Sequence, residues 1–119
     1  MAGLTPAVLV GIGGSLGAVL RHLVGEAVAI EGVPLPTFVV NVLGSFALAA
    51  LTFGATDGGT LLFVGTGVCG AFTTFSSFAV ETVELWDGGD PVRAVVYAVG
   101  TGVAAAAGVA LGWAVTTLP

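Results

Sequence analysis

Long apolar runs, set apart by short polar or Gly/Pro-rich breaks, divide the chain into four segments. The first runs from about Leu4 to Val24 and closes near Arg21, His22, Glu26 and Glu31. The second runs from about Pro36 to Phe53, after the turn Gly32-Val33-Pro34-Leu35-Pro36. Thr56-Asp57-Gly58-Gly59 separates it from a third, about Thr60 to Trp86. Asp87-Gly88-Gly89-Asp90-Pro91 leads into the fourth, about Val92 to Val115, with Pro91 suited to a first helical turn. Each is close to the roughly 20 residues a helix needs to cross a bilayer core. No alternating strand pattern appears, so the spacing predicts an all-α membrane protein, a single four-helix domain over residues 1–119. Trp86 and Trp113 lie near the ends of the third and fourth segments, where amphipathic rings favour the membrane interface.

The third segment is not smoothly apolar. Gly67-Val68-Cys69-Gly70-Ala71-Phe72-Thr73-Thr74-Phe75-Ser76-Ser77-Phe78 sets glycines and hydroxyls in its middle. Lipid tolerates a broken helix only where protein or a wet cavity satisfies the freed backbone groups. The sequence therefore predicts a broken third helix and a place where an ion is held. Phe72, Phe75 and Phe78 recur at intervals of three, and Phe75 and Phe78 share a face. Such a stripe suits either core packing or a passage lined by ring edges, which carry partial positive charge. Unwound carbonyls at Gly70 and Thr73 are of the kind that bind cations in interrupted transporter helices.

Other segments add polar groups at helical spacing. Thr37, Asn41 and Ser45 fall four apart, on one face of the second helix. An amide at that depth is costly unless paired, so Asn41 either bonds a neighbouring helix or lines a pore as a donor. Tyr97 and Thr101 repeat the spacing in the fourth segment. Gly13 and Gly17, Gly14 and Ala18, and Gly108 and Gly112 place small residues four apart, allowing helix backbones to approach closely. Four thin helices enclose little volume, which points to an oligomer.

Composition narrows the class. The chain is 56% hydrophobic and 8% charged, whereas soluble domains carry about a quarter charged residues. Lysine is absent and the net charge is −5, which argues against nucleic acid or an anionic membrane surface as a partner. Arg21 and Arg93, the two cations, fall toward the side opposite both termini. The positive-inside rule places that side in the cytoplasm, though so small a bias permits insertion in both orientations. Cys69, the single cysteine, forms no internal disulfide and reads as a small buried residue. Met1-Ala2-Gly3-Leu4 carries no basic stretch, so the first apolar run reads as a retained span rather than a signal peptide. No catalytic set, metal-ligand cluster or phosphate loop is visible, and Glu81 and Glu84 come late in the third segment. The chain does not read as an enzyme.

Together these residues resemble the small fluoride channels of the Fluc/CrcB family, in order along most of the chain. Gly13-Gly14-Ser15-Leu16-Gly17-Ala18-Val19-Leu20-Arg21 is similar to the family's first-helix motif GGxxGAxxR. Phe38-Val39-Val40-Asn41-Val42-Leu43-Gly44-Ser45-Phe46 resembles the second, and residues 67–78 resemble the third, its most specific signature. The resemblance implies an antiparallel dimer, two fluoride pores along the subunit interface, and a structural sodium ion at the dimer centre. It assigns that sodium to the backbone carbonyls of Gly70 and Thr73. It assigns the fluoride path to Asn41, Phe75, Phe78, Thr74, Ser77, Tyr97 and Thr101, with Arg21 at a vestibule. The partner it implies is an identical chain or a paralogue of opposite orientation. Ala71, Ala105 and His22 depart from the family pattern, and Ala105 leaves the length of the fourth-helix polar track open.

Two rivals remain on the sequence alone. A small multidrug exporter also has about four helices, but its coupling needs a carboxylate in the first one, and Leu4 to Val24 holds none. An accessory membrane subunit without transport of its own leaves Asn41 and the Thr/Ser/Phe cluster without a purpose.

Overall fold

The computed structural model describes residues 3–119. Met1 and Ala2, the start of the stretch read above as lacking a signal peptide, lie outside the described residues. Four helical spans follow in order: Pro6–Val28, Leu35–Phe53, an interrupted third over Gly58–Asp87, and Pro91–Thr117. All four are long and apolar enough to cross a membrane. The first outruns its apolar pattern by a turn, which carries Glu26 into its last turn.

Local sequence sets the boundaries. Thr5 caps the first helix by accepting from the Val8 N–H, with Pro6 in the first turn. Asp57 caps the third span by accepting from the Thr60 N–H (3.0 Å) and hydroxyl (2.6 Å). Those bonds, the hydroxyl's first, hold its carboxyl below the ordinary value. Asp90 caps the fourth helix through the Arg93 N–H at 3.0 Å, ahead of Pro91. The turn before it is a Schellman motif: Gly89 sits at φ +91°, its N–H reaches the Trp86 carbonyl, and the Asp90 N–H reaches that of Leu85. A tight turn at Ile30–Val33, with Gly32 at φ +75°, joins the first two helices.

Small residues decide which helices meet. The first helix packs along the first half of the third span. A Cβ on Gly17 would collide with the Val68 carbonyl oxygen, and one on Gly13 with that of Phe63. The second helix pairs with the fourth, where a Cβ on Gly112 would lie 2.6 Å from the Phe46 carbonyl oxygen. The Gly13/Gly17 and Gly108/Gly112 pairs therefore serve contacts within the chain. Residues Leu61–Cys69 are wound as a π-helix, which turns Gly67 toward Gly13 of the first helix and Gly65 toward Leu48 of the second. Cys69 is buried, as its size and setting suggest.

The result is a flat body of 53 × 34 × 21 Å, two helices of about 10–12 Å thick. Among the described residues few apolar side chains are buried: Leu9, Val40, Ala49, Cys69 and Ala94. Many large ones, such as Leu16, Leu23, Val95, Val99 and Val103, face outward. In water such a surface would be untenable; in hydrocarbon it is the ordinary covering of a membrane protein.

Candidate functional site

The third span breaks at Thr73 and Thr74. Both leave the helical region, at φ/ψ −82°/159° and −150°/118°. The first half ends beside the first helix, and the second, Phe75–Asp87, departs to pack on the fourth. Thr74 caps that new helix: its hydroxyl accepts from the Ser77 N–H at 3.2 Å and bonds the Ser77 hydroxyl at 3.2 Å. Thr73 ties back to the first half, its N–H and hydroxyl both donating to the Cys69 carbonyl, at 3.0 and 2.9 Å.

Asn41 holds the break open. Its Oδ1 accepts from the Thr74 N–H at 2.7 Å and its Nδ2 donates to the Thr74 carbonyl at 2.9 Å. The amide orientation is unambiguous, since a flipped amide would set donor against donor and acceptor against acceptor. In an unbroken helix the Thr74 N–H would reach back to Gly70. Here the Gly70 carbonyl loses that partner. The side chain bonds a neighbouring segment, the first of the two roles left open by its depth, and it also borders a cavity. One of its two amide hydrogens is engaged at Thr74. Gly44, one turn on, gives the break room, for a Cβ there would collide with the Thr73 methyl.

A cavity of about 390 Å³ opens beside the break, lined by Asn41, Ser45, Thr74, Phe75, Phe78 and Thr101, with Ala105 at its edge. The Thr101 hydroxyl is buried and without a hydrogen-bond partner. An orphaned buried hydroxyl costs free energy, so the fold leaves Thr101, a residue of the cavity wall, with an unmet polar group. Phe75 is 80% exposed, which removes core packing as the reason for that ring. Its centroid lies 5.9 Å from that of Phe78, which in turn lies 5.5 Å from that of Tyr97, with tilted planes in both pairs. A second cavity of about 260 Å³ is lined by Arg21, Thr37, Thr74 and Ser77. Thr74 belongs to both, so the two meet at the break.

The structure thus gathers Asn41, Thr74, Phe75, Phe78 and Thr101 at one cavity and places Arg21 and Ser77 in the next. Tyr97 joins through its ring contact with Phe78. Thr73 stands at the break, while Gly70 keeps helical angles (−63°, −36°) one turn before it and does not line the larger cavity. Sequence reasoning passed over Glu81. Its carboxylate accepts from the Thr37 hydroxyl at 2.8 Å and from the Tyr97 hydroxyl at 2.7 Å, linking the second, third and fourth spans. The signal was present, because Glu81 lies four residues after Ser77 and three after Phe78 on their face. Among the described residues, no three His, Cys, Asp or Glu side chains gather as metal ligands.

Known proteins resemble this chain along most of its length. Residues 8–113 match the model of the family described as CrcB-like protein, Camphor Resistance (CrcB). The chain is 56% identical over 108 residues to a Halobacterium salinarum protein named fluoride-specific ion channel FluC 1, covering 91% of each. It is 48% identical over 118 residues to fluoride-specific ion channel FluC 2 of Haloarcula marismortui, covering 99% of each. A Thermotoga maritima protein named fluoride-specific ion channel FluC is 44% identical over 98 residues, 75% of this chain and 76% of that one. With the family model spanning nearly all four helices, the chain belongs to the CrcB family, as a multi-pass integral membrane protein.

Proposed function

We propose that this protein is a fluoride-selective channel that lets fluoride leave the cell down its gradient, lowering its toxicity. The observation that carries the reading is the cavity at the break, where Asn41, Thr101 with its unpartnered hydroxyl, and the exposed Phe75 ring line one concave surface of an apolar body. The family relatives named for fluoride conduction support it.

Fluoride is small and strongly hydrated, so entering the membrane requires replacement of lost water by other donors. Hydroxyls, an amide and phenyl edges supply them in series. Arg21 stands in the adjoining cavity with Thr37 and Ser77, and its charge attracts the anion toward the first donors. Several modest sites allow the ion to leave as readily as it binds. A narrow spacing of these donors in the completed pore would reject the larger chloride.

The pore is completed by a second copy, or by a paralogue of opposite orientation. The open side of the cavity and the outward Phe75 ring support this, because one chain leaves that ring bare. A sodium ion at the dimer centre suits the chemistry of the break. The Gly70 carbonyl is released from its helical partner and Thr73 lies in extended backbone. Two chains would supply four such oxygens to a hard cation. Bound there, the ion would fix the two breaks against each other.

Purified protein in liposomes, followed with fluoride and chloride electrodes, tests the reading. Fast fluoride efflux with little chloride efflux is expected. Equal passage of chloride overturns it, and conduction of neither ion would leave the accessory-subunit alternative in its place.

A further inference from the structure

On the other side of Thr101 from the break cavity, which that residue also lines, a third concave surface of about 340 Å³ opens between the start of the second helix and the first half of the fourth. Its walls are apolar, with Pro34 and Phe38 on one side and Val96 and Gly100 on the other, and Tyr97 and Thr101 present no accessible polar surface to it. A Cβ on Gly100 would meet nothing within 4 Å, so the missing side chain leaves this trough open rather than admitting a neighbouring backbone. That distinguishes Gly100 from Gly108 and Gly112, which are spent on the second helix.

One cation stands at the mouth of this trough. Arg93, Val96, Tyr97 and Gly100 fall at i, i+3, i+4 and i+7, a single stripe of the fourth helix. The Arg93 guanidinium also donates to the Gly32 carbonyl, next in sequence to Val33, which lines the same cavity. Both anchors hold the charge over the cavity's end. That end lies where the chain leaves the membrane, at the first turn of the fourth helix and the turn before the second. A guanidinium has five N–H donors in a fork, so a tie to one carbonyl leaves most of them for another acceptor. The nearby Asp90 carboxylate is engaged in capping, through the backbone N–H of Arg93 itself.

A cation at headgroup level above an apolar trough directed into the membrane matches one kind of molecule. We infer that this groove binds one phospholipid per subunit, its phosphate on Arg93 and an acyl chain along Pro34, Phe38, Val96 and Gly100. A soluble anion would gain nothing from the walls, and an uncharged apolar molecule nothing from the arginine. The net charge of −5 opposes attraction to an anionic surface as a whole. Recognition of a single phosphate by direct contact does not depend on that long-range field.

Native mass spectrometry in detergent, with dioleoylphosphatidylglycerol titrated in, tests the inference. The wild-type protein is expected to hold one lipid per subunit saturably. Arg93→Gln and Gly100→Leu should each weaken that binding by about tenfold, the effect of one lost charged contact or a filled trough. Val103→Leu, on an exposed part of the same helix, should leave it unchanged. Should Arg93→Gln fail to give folded protein for want of its tie to Gly32, Gly100→Leu decides alone. Equal binding by wild type and Gly100→Leu overturns the inference. So does cross-linking of two copies through cysteines introduced at Val96, which would show a second chain on this face instead of lipid.

Discussion

Asn41→Asp changes one atom and separates the two tasks the structure gives this side chain. The retained oxygen still accepts from the Thr74 N–H, at 2.7 Å in the native protein. The new oxygen, however, faces the Thr74 carbonyl where an N–H donated at 2.9 Å. A buried acceptor losing its donor costs about 1–3 kcal/mol, which a protein with about 5–15 kcal/mol of stability survives. The effect on flow is larger. A carboxylate about 4 Å from a passing anion, at an effective dielectric constant of about 20, repels it by about 4 kcal/mol. That corresponds to roughly a 10³-fold loss of fluoride flux. Liposome efflux gives the flux, and thermal unfolding in detergent gives the stability. A variant that unfolds only modestly earlier yet conducts almost nothing is expected. Near-native flux from a folded Asn41→Asp protein would refute the reasoning, because it would remove Asn41 from the ion's route.

Other substitutions divide fold from flow. Phe75→Ile should leave the melting temperature unchanged, since the ring is 80% exposed, while fluoride efflux falls at least several-fold, in line with about 0.5–1.5 kcal/mol for an aromatic contact. Gly17→Ala should do the reverse in the first instance: the collision with the Val68 carbonyl forces two backbones apart, lowering stability by about 1–3 kcal/mol in a thermal melt. Tyr97→Phe removes the hydroxyl that donates to Glu81 at 2.7 Å; a charge-assisted bond is worth about 1.5–3 kcal/mol, and both melting temperature and flux should drop. Asp57→Ala tests the cap of the third span. Its carboxyl is held below the ordinary value of 3.8, so its stabilisation is present above that value and disappears as pH falls through the lowered one. The wild-type and variant melting temperatures should therefore differ near neutrality and converge in strong acid.

The four spans were legible because each is a long apolar run closed by capping or turn residues, as with Asp57-Gly58 and Asp90-Pro91. The broken third helix was legible from its hydroxyl density. Its position was less so: Gly70 looks like the natural hinge, yet it stays helical, and the chain opens at Thr73 and Thr74, where Asn41 supplies the hydrogen bonds a helix would have made. That partner lies 33 residues away, beyond any local pattern. The π-helical winding of Leu61–Cys69 was illegible for a similar reason, since it answers to the packing of Gly67 on Gly13 and Gly65 on Leu48. Glu81 was set aside as a residue late in its span, although Thr37 and Tyr97 both converge on it from other helices. Spacing could place Thr101 beside Tyr97 but not leave its hydroxyl without a partner; only the fold does that.

Conduction requires an anion to pass between two oppositely inserted chains beside the opened helix. A high-resolution structure of the protein in lipid, prepared in sodium fluoride, tests this most directly. It should contain an antiparallel pair, a cation between the two Thr73 breaks, and fluoride within reach of Asn41, Thr101 and the Phe75 edge. A structure in which the break faces lipid, with no narrow tunnel along the shared surface and no ion beside those groups, would contradict it.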